Sequence, residues 1–216
     1  MNLGLNGRTA VVMGASQGLG KATAKILAAE GAHVIVVARR KDALNAVKSD
    51  IEAVGGRAEI ALCDLFEKSS RKDLCRMIQD LPRIDVLVAN SGGPAPAIAP
   101  GISSAIWMKQ FDAMVLGLIE IIDTAANRMK EYGFGRILTV GSSGSVVPIP
   151  KLAVSNTLRS AVSCYMKTLA GQVARYGVTC NMILPGRIET PRTKEIDSST
   201  AKALGITEAK ARENSI

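Results

Sequence analysis

The chain has 216 residues, 47% hydrophobic but only 3% aromatic, which suits one domain with a sizeable core rich in Ala, Val and Ile. Its formal charge is +8, yet 27 basic residues are dispersed among 19 acids and few aromatics are available for base stacking. A surface that favours anionic cofactors or substrates is the simpler account, and neither nucleic acid nor membrane is an expected partner. Without a charged-then-apolar leader, a cytoplasmic location is expected, with Cys63, Cys75, Cys164 and Cys180 reduced and lacking metal-ligand spacing.

Thr9 to Met13 reads as a short buried strand, and Lys21 to Glu30 as a helix rich in Ala, Lys and Leu. Between them runs Gly14-Ala15-Ser16-Gln17-Gly18-Leu19-Gly20. Its glycines let the backbone turn sharply and approach a ligand, and the helix beyond offers unpaired N–H groups and the positive end of its dipole. That is an arrangement for a dinucleotide's phosphates. Strands follow at His33 to Ala38, Ala58 to Cys63 and Ile84 to Ala89, with helices from Asp42 to Val54 and from about Glu67 to Gln79. After the Gly/Pro-rich stretch at 92–96 come a long helix from Ser104 to Glu131, a strand from Arg136 to Val140, a helix from Ala153 to Tyr176 and a strand from Val178 to Leu184. Strands alternating with helices imply parallel βαβ units in a doubly wound, three-layer α/β/α fold, with ligands at the carboxyl ends of the strands. Residues 1–190 form this domain. The rest, 191–216, is polar, with a helix expected from about Glu195 to Arg212, and reads as a mobile lid or tail.

Four motifs fall at the ends of successive strands: the glycine loop, Ala89-Asn90-Ser91-Gly92, Gly141-Ser142-Ser143 and Leu184-Pro185-Gly186. In this order they resemble the short-chain dehydrogenases/reductases, from about Leu5 to Thr190, and most closely the branch containing β-ketoacyl carrier-protein reductases. The resemblance implies a Rossmann-type sheet, hydride transfer between nicotinamide and a carbonyl or alcohol such as a 3-oxoacyl thioester, and a homodimer or homotetramer built on the long helices. It also implies one more helix and strand than this sequence carries. The glycine-loop residues Gly14, Ser16, Gln17, Gly18, Leu19 and Gly20 would cradle the phosphates. Asp64 and Leu65 would meet the adenine, Asn90, Ser91 and Gly92 would line the middle of the cofactor, and Pro185, Gly186 and Ile188 would close on the nicotinamide. Arg39 stands where the family uses an acid for the ribose of NAD, and with Arg40 it argues for NADP, because guanidinium forks onto phosphate. On their own, the arginines read as a solvated helix start and Asp64 as a helix cap.

The family delivers its proton from a Tyr-x-x-x-Lys pair, aided by a serine and an asparagine. Here Ser142 remains, but Ser155 holds the tyrosine's place, Arg159 the lysine's and Met114 the asparagine's. Tyr165 and Lys167 lie two apart and do not share a helix face, Tyr132 and Tyr176 have no lysine four residues on, and Lys151 reads as solvent-facing. Arg159 can still hold ribose hydroxyls, but it stays protonated and relays no proton. Two readings follow. One is an NADP(H)-dependent oxidoreductase in which Ser142, Ser155 and Arg159 serve as the catalytic set. The other is a non-catalytic NADP-binding sensor or scaffold. His33 reads as structural, and no metal site is expected.

Overall fold

The computed structural model describes residues 3–214. Six strands, β1 (Thr9–Met13), β2 (His33–Ala38), β3 (Arg57–Leu62), β4 (Val86–Ala89), β5 (Gly135–Val140) and β6 (Val178–Ile183), form one parallel sheet in the order β3-β2-β1-β4-β5-β6. Register is fixed from the centre outward: Val11 of β1 stands beside Ile35 of β2 on one side and Leu87 of β4 on the other. The near-continuous apolar runs of these strands have a simple cause. Both faces of the sheet are covered, so alternate residues need no polar side. Val11, Met13, Ile35, Val37, Leu87 and Ala89 join one core, and Ala10, Val12, Val34, Val36, Val86 and Val88 the other.

Helices α1 (Gly18–Ala29) and α2 (Lys41–Glu52) cover the second core through Ala24, Ala28, Leu44, Val47 and Ile51. The first core is covered by α3 (Lys68–Asp80), α5 (Gly117–Glu131) and α6 (Ala153–Val173), whose Leu74, Ile78, Ile121, Leu158 and Val162 are buried there. Strand order reverses between β1 and β4, which opens a crevice at their carboxyl ends. No described helix is long and apolar enough to cross a membrane.

Several boundaries differ from expectation. The first helix begins at Gly18 instead of Lys21, β4 starts at Val86 instead of Ile84, and β3 runs one residue earlier than expected. The helix expected over 104–131 is interrupted: α4 (Ser104–Phe111) passes into a π-helical turn, Asp112–Leu116, before α5. Buried Arg71 of α3 accounts for the interruption. Its Nη1 donates to the Asp112 carbonyl at 3.2 Å and to the Asp112 carboxylate at 3.0 Å. Its Cδ lies 2.6 Å from where a Cβ on Gly117 would sit, so only glycine admits it.

The polar tail folds as two helices, α7 (Pro191–Leu204) and α8 (Glu208–Glu213), separated by Gly205 in the left-handed region at φ +64°. The α7 helix starts earlier than expected because Thr190 caps it. The Thr190 side chain accepts from the Thr193 N–H, and Pro191 takes the first helical position. It is tied to the loop after β6 by a half-buried ion pair between Asp197 and Arg187.

Candidate active site

The crevice is a cleft of about 850 Å³ whose floor is the carboxyl edge of the sheet. Gly14 turns out of β1 at φ +63°, and a Cβ there would stand 2.7 Å from Asn90 Nδ2. A Cβ on Gly20 would stand 2.3 Å from the Gly14 carbonyl oxygen, so α1 sits directly against the loop. No side chain caps α1, which leaves its first-turn N–H groups for a ligand. Gly14, Ser16, Gln17, Gly18 and Leu19 line the cleft, while Gly20 lies behind them as a packing residue.

At the end of β2, Arg39 and Arg40 project over the same cleft. Arg40 Nη2 donates to Gln17 Oε1 at 2.8 Å, and Arg39 Nη1 lies 3.8 Å from Asp64 Oδ2. The other oxygen of Asp64 accepts the Phe66 N–H at 3.0 Å, so this residue caps its turn as well as facing the cleft beside Leu65. Asn90, Ser91 and Gly92 form the wall after β4, and Pro185, Gly186 and Ile188 the wall after β6. Two buried polar atoms in this lining, Ser91 Oγ and Gln110 Oε1, have no hydrogen-bond partner in the protein. Orphaned buried groups are costly, and here both border a space that a polar ligand can fill.

Ser142, Ser155 and Arg159 all line the cleft. Ser142 Oγ accepts the Gly144 N–H at 3.1 Å, capping the turn over 143–145, and its own hydroxyl proton remains available to donate. The capping role and the cleft position therefore belong to one residue. Ser155 lies in the first turn of α6, and its hydroxyl has no partner among the described residues. Arg159, one turn on, donates from Nη1 to the Val140 carbonyl at 2.7 Å and from Nη2 to the Ser91 carbonyl at 3.4 Å. Burial, and then the neighbouring Arg192, lower its pKa from the usual guanidinium value, and it remains charged at any working pH. Met114, in the π-helical turn, brings an apolar thioether to the same wall. None of the three tyrosines lines the cleft. Tyr165 instead donates to Asp123 of α5, Tyr132 donates to the Pro82 carbonyl at 2.7 Å, and Tyr176 accepts from Arg175. Lys151 is exposed outside the cleft, with a left-handed backbone at φ +62°.

The sequence matches the short chain dehydrogenase family over residues 8–201. The chain belongs to the short-chain dehydrogenase/reductase family. It is 30% identical over 188 residues to the 2,3-dihydro-2,3-dihydroxybenzoate dehydrogenase of Bacillus subtilis (strain 168), spanning 87% of this chain and 72% of that one. With the NADPH-dependent reductase BacG of the same organism it shares 30% identity over 209 residues, 95% of this chain and 81% of that protein. The solved structure of YwfH, an NADPH dependent reductase involved in bacilysin biosynthesis, superposes with a TM-score of 0.90 at 28% identity, covering 97% of this chain and 82% of that chain.

Against this family background, the cleft has the serine at the end of β5 but no phenol and no lysine among its lining residues. The polar lining residues that sequence reasoning missed include Gln110, Thr190 and Arg192. The Thr190-Pro191 pair was a readable helix-start signal, and reading it would have brought Arg192 into the first turn of α7, over the cleft. Gln110 carried no signal, because the π-helical turn that follows it depends on Arg71 from another element.

Proposed function

We propose that this protein is an NADP(H)-dependent oxidoreductase acting on a ketone or the corresponding alcohol, with a serine and arginine in place of the family's tyrosine and lysine. The observation that carries the reading is that a phosphate-type glycine loop, two arginines at the end of β2 and Ser142, Ser155 and Arg159 all border one cleft. The residues fit the cofactor. Gly14 leaves room that a Cβ would fill, Ser91 Oγ and Gln110 Oε1 lack partners, and Arg39 and Arg40 suit a 2′-phosphate where an acid would repel it. Both BacG and YwfH are described as NADPH-dependent, which supports the same choice.

When bound, the nicotinamide supplies or accepts the hydride. Ser142 donates its hydroxyl hydrogen to the carbonyl oxygen, while one of its lone pairs accepts the Gly144 N–H and holds the hydroxyl in place. Ser155, or a water held between it and Arg159, passes the proton. Arg159 keeps two of its five N–H donors on backbone carbonyls and has others for the nicotinamide ribose hydroxyls. A serine hydroxyl is a far weaker acid than a phenol, so the proton step is the slow one, by as much as about 10²–10⁴. A 3-oxoacyl thioester is one carbonyl of the class. The lid role belongs to α7, whose Pro191, Arg192 and Ile196 border the cleft. Self-association through α4 and α6 is supported by Ile106, Met108 and Phe111, which are exposed beside a groove lined by Trp107, Leu158 and Ala161.

The reading is tested with Arg159→Ala, measuring NADPH affinity by fluorescence and turnover by absorbance. A loss of about tenfold or more in either is expected, given an unchanged melting temperature. Native values for both would remove Arg159 from the site.

A further inference from the structure

One end of the cleft carries positive charge that the protein leaves nearly uncompensated. The Arg159 guanidinium is held by two backbone carbonyls, and among the described residues no carboxylate oxygen lies within 4.0 Å of it. Carbonyls satisfy N–H donors but neutralise no charge. Arg192, in the first turn of α7, faces the same region. Its Nη2 donates to the Pro94 carbonyl at 2.7 Å, and its Nη1 reaches Glu195, three residues on, at 3.2 Å. The Glu195 side chain is 71% exposed, so this ion pair is solvent-screened and weak. The two guanidinium groups reach carbonyls three residues apart on one wall of the cleft, Ser91 and Pro94, and the charge of Arg192 opposes the protonation of Arg159. Two like charges converging in a partly enclosed cleft are unfavourable unless an anion joins them.

The cofactor has other partners for its charge in the cleft. Its phosphates are matched by the glycine loop after β1 and by Arg39 and Arg40 after β2. Arg159 holds the last carbonyl of β5 and the Ser91 carbonyl just after β4, three and two strand spacings from β2, or about 14 and 10 Å. The ribose hydroxyls that Arg159 would hold are neutral and leave its charge in place. Met114, Leu152, Ile188 and Ile196 line the cleft as well, so its polar lining is joined by apolar contacts for the rest of a ligand.

We propose that the substrate is a keto acid, a ketone whose own carboxylate is held by the Arg192 fork, with the Arg159 charge behind it. The planar guanidinium of Arg192 matches a carboxylate in bidentate fashion. In the reduction, the carbonyl carbon gains hydride from NADPH, the carbonyl oxygen gains a proton, NADP⁺ is released and the carboxylate stays ionised. The inference rests on the reading of the cleft as an NADP(H)-dependent reductase site, and it names that site's substrate class.

The test is calorimetric titration of the protein, with and without saturating NADP⁺, using benzoylformate and acetoacetate, each paired with its neutral methyl ester. Native protein is expected to bind the acids at least about tenfold more tightly than the esters. Arg192→Gln should bring the ratio close to unity, and Arg192→Lys, which keeps the charge, should retain part of it. Equal affinity for acid and ester, failure of both acids to bind, or an undiminished preference in Arg192→Gln would each overturn the proposal. So would a variant that loses NADP⁺ affinity while keeping its acid preference, because Arg192 would then serve the cofactor. Even if Arg192→Gln failed to fold, the native acid-to-ester ratio would still decide. NADPH oxidation with the same four compounds separates the two claims. Acid binding without turnover would sink the reductase reading and leave the anion site, whereas equal kcat/KM for acid and ester would do the reverse.

Discussion

At position 155 a hydroxyl stands where the family's phenol delivers its proton, and the consequence can be worked out atom by atom. Ser155 and Arg159 occupy successive turns of one helix face, so the geometry of a Tyr-x-x-x-Lys pair is preserved while its acidity is not. Arg159 cannot lower the pKa of a group that is absent, and its own proton is not transferable. Restoring both partners should therefore restore the acid. Ser155→Tyr with Arg159→Lys is expected to raise the rate of NADPH-dependent ketone reduction by about 10²-fold or more, within the span of general acid catalysis. A double variant that binds NADPH and reduces ketones no faster than the native protein would show that the cleft is not organised around this pair. Position 155 was legible from the sequence because the motif spacing survived the substitution. Arg192 was not, because its relevance depends on where α7 lies.

The glycine loop and α1 behave as a single unit, since α1 packs directly on the loop through Gly20. A methyl group at position 20 would meet the Gly14 carbonyl at 2.3 Å, where backbone cannot yield cheaply. Gly20→Ala should cost about 2 kcal/mol or more in denaturant unfolding and reduce NADPH binding in parallel. Loss of binding with full stability would mean that the glycine serves the ligand alone. The strands were the most legible elements, because runs such as Val34 to Ala38 are apolar on both faces and can only be interior. The interrupted helix over 104–131 was the least legible. Its π-helical turn is set by Arg71, some forty residues earlier in the chain, and local periodicity holds no record of that contact.

Across the whole molecule, stability and function occupy opposite edges of the sheet. At the amino-terminal edge Asp85, fully buried, accepts from Arg8 at 2.7 Å, Arg83 at 2.7 Å and the Thr9 N–H at 3.0 Å. Burial alone would raise its pKa, but these donors outweigh it and hold the carboxyl below its ordinary 3.8. A depressed folded value means that the stabilisation is complete above the unfolded value and is lost as pH falls through the folded one. Asp85→Asn should destabilise the protein by about 3 kcal/mol near neutral pH, and the gap should narrow as pH drops below about 4. A constant gap across that range would exclude the carboxylate as its origin. The carboxyl-terminal edge carries the chemistry, and there the central claim is that a reductase works without a phenol. The most direct measurement is NADPH oxidation by the native protein against ketones, keto acids and 3-oxoacyl thioesters, with NADH as the comparison. Turnover above the background decay of the cofactor, with NADPH preferred to NADH, is expected. Tight NADPH binding with no oxidation across the whole panel, while Ser155→Tyr/Arg159→Lys turns over, would contradict the claim and leave a cofactor-binding protein without catalysis.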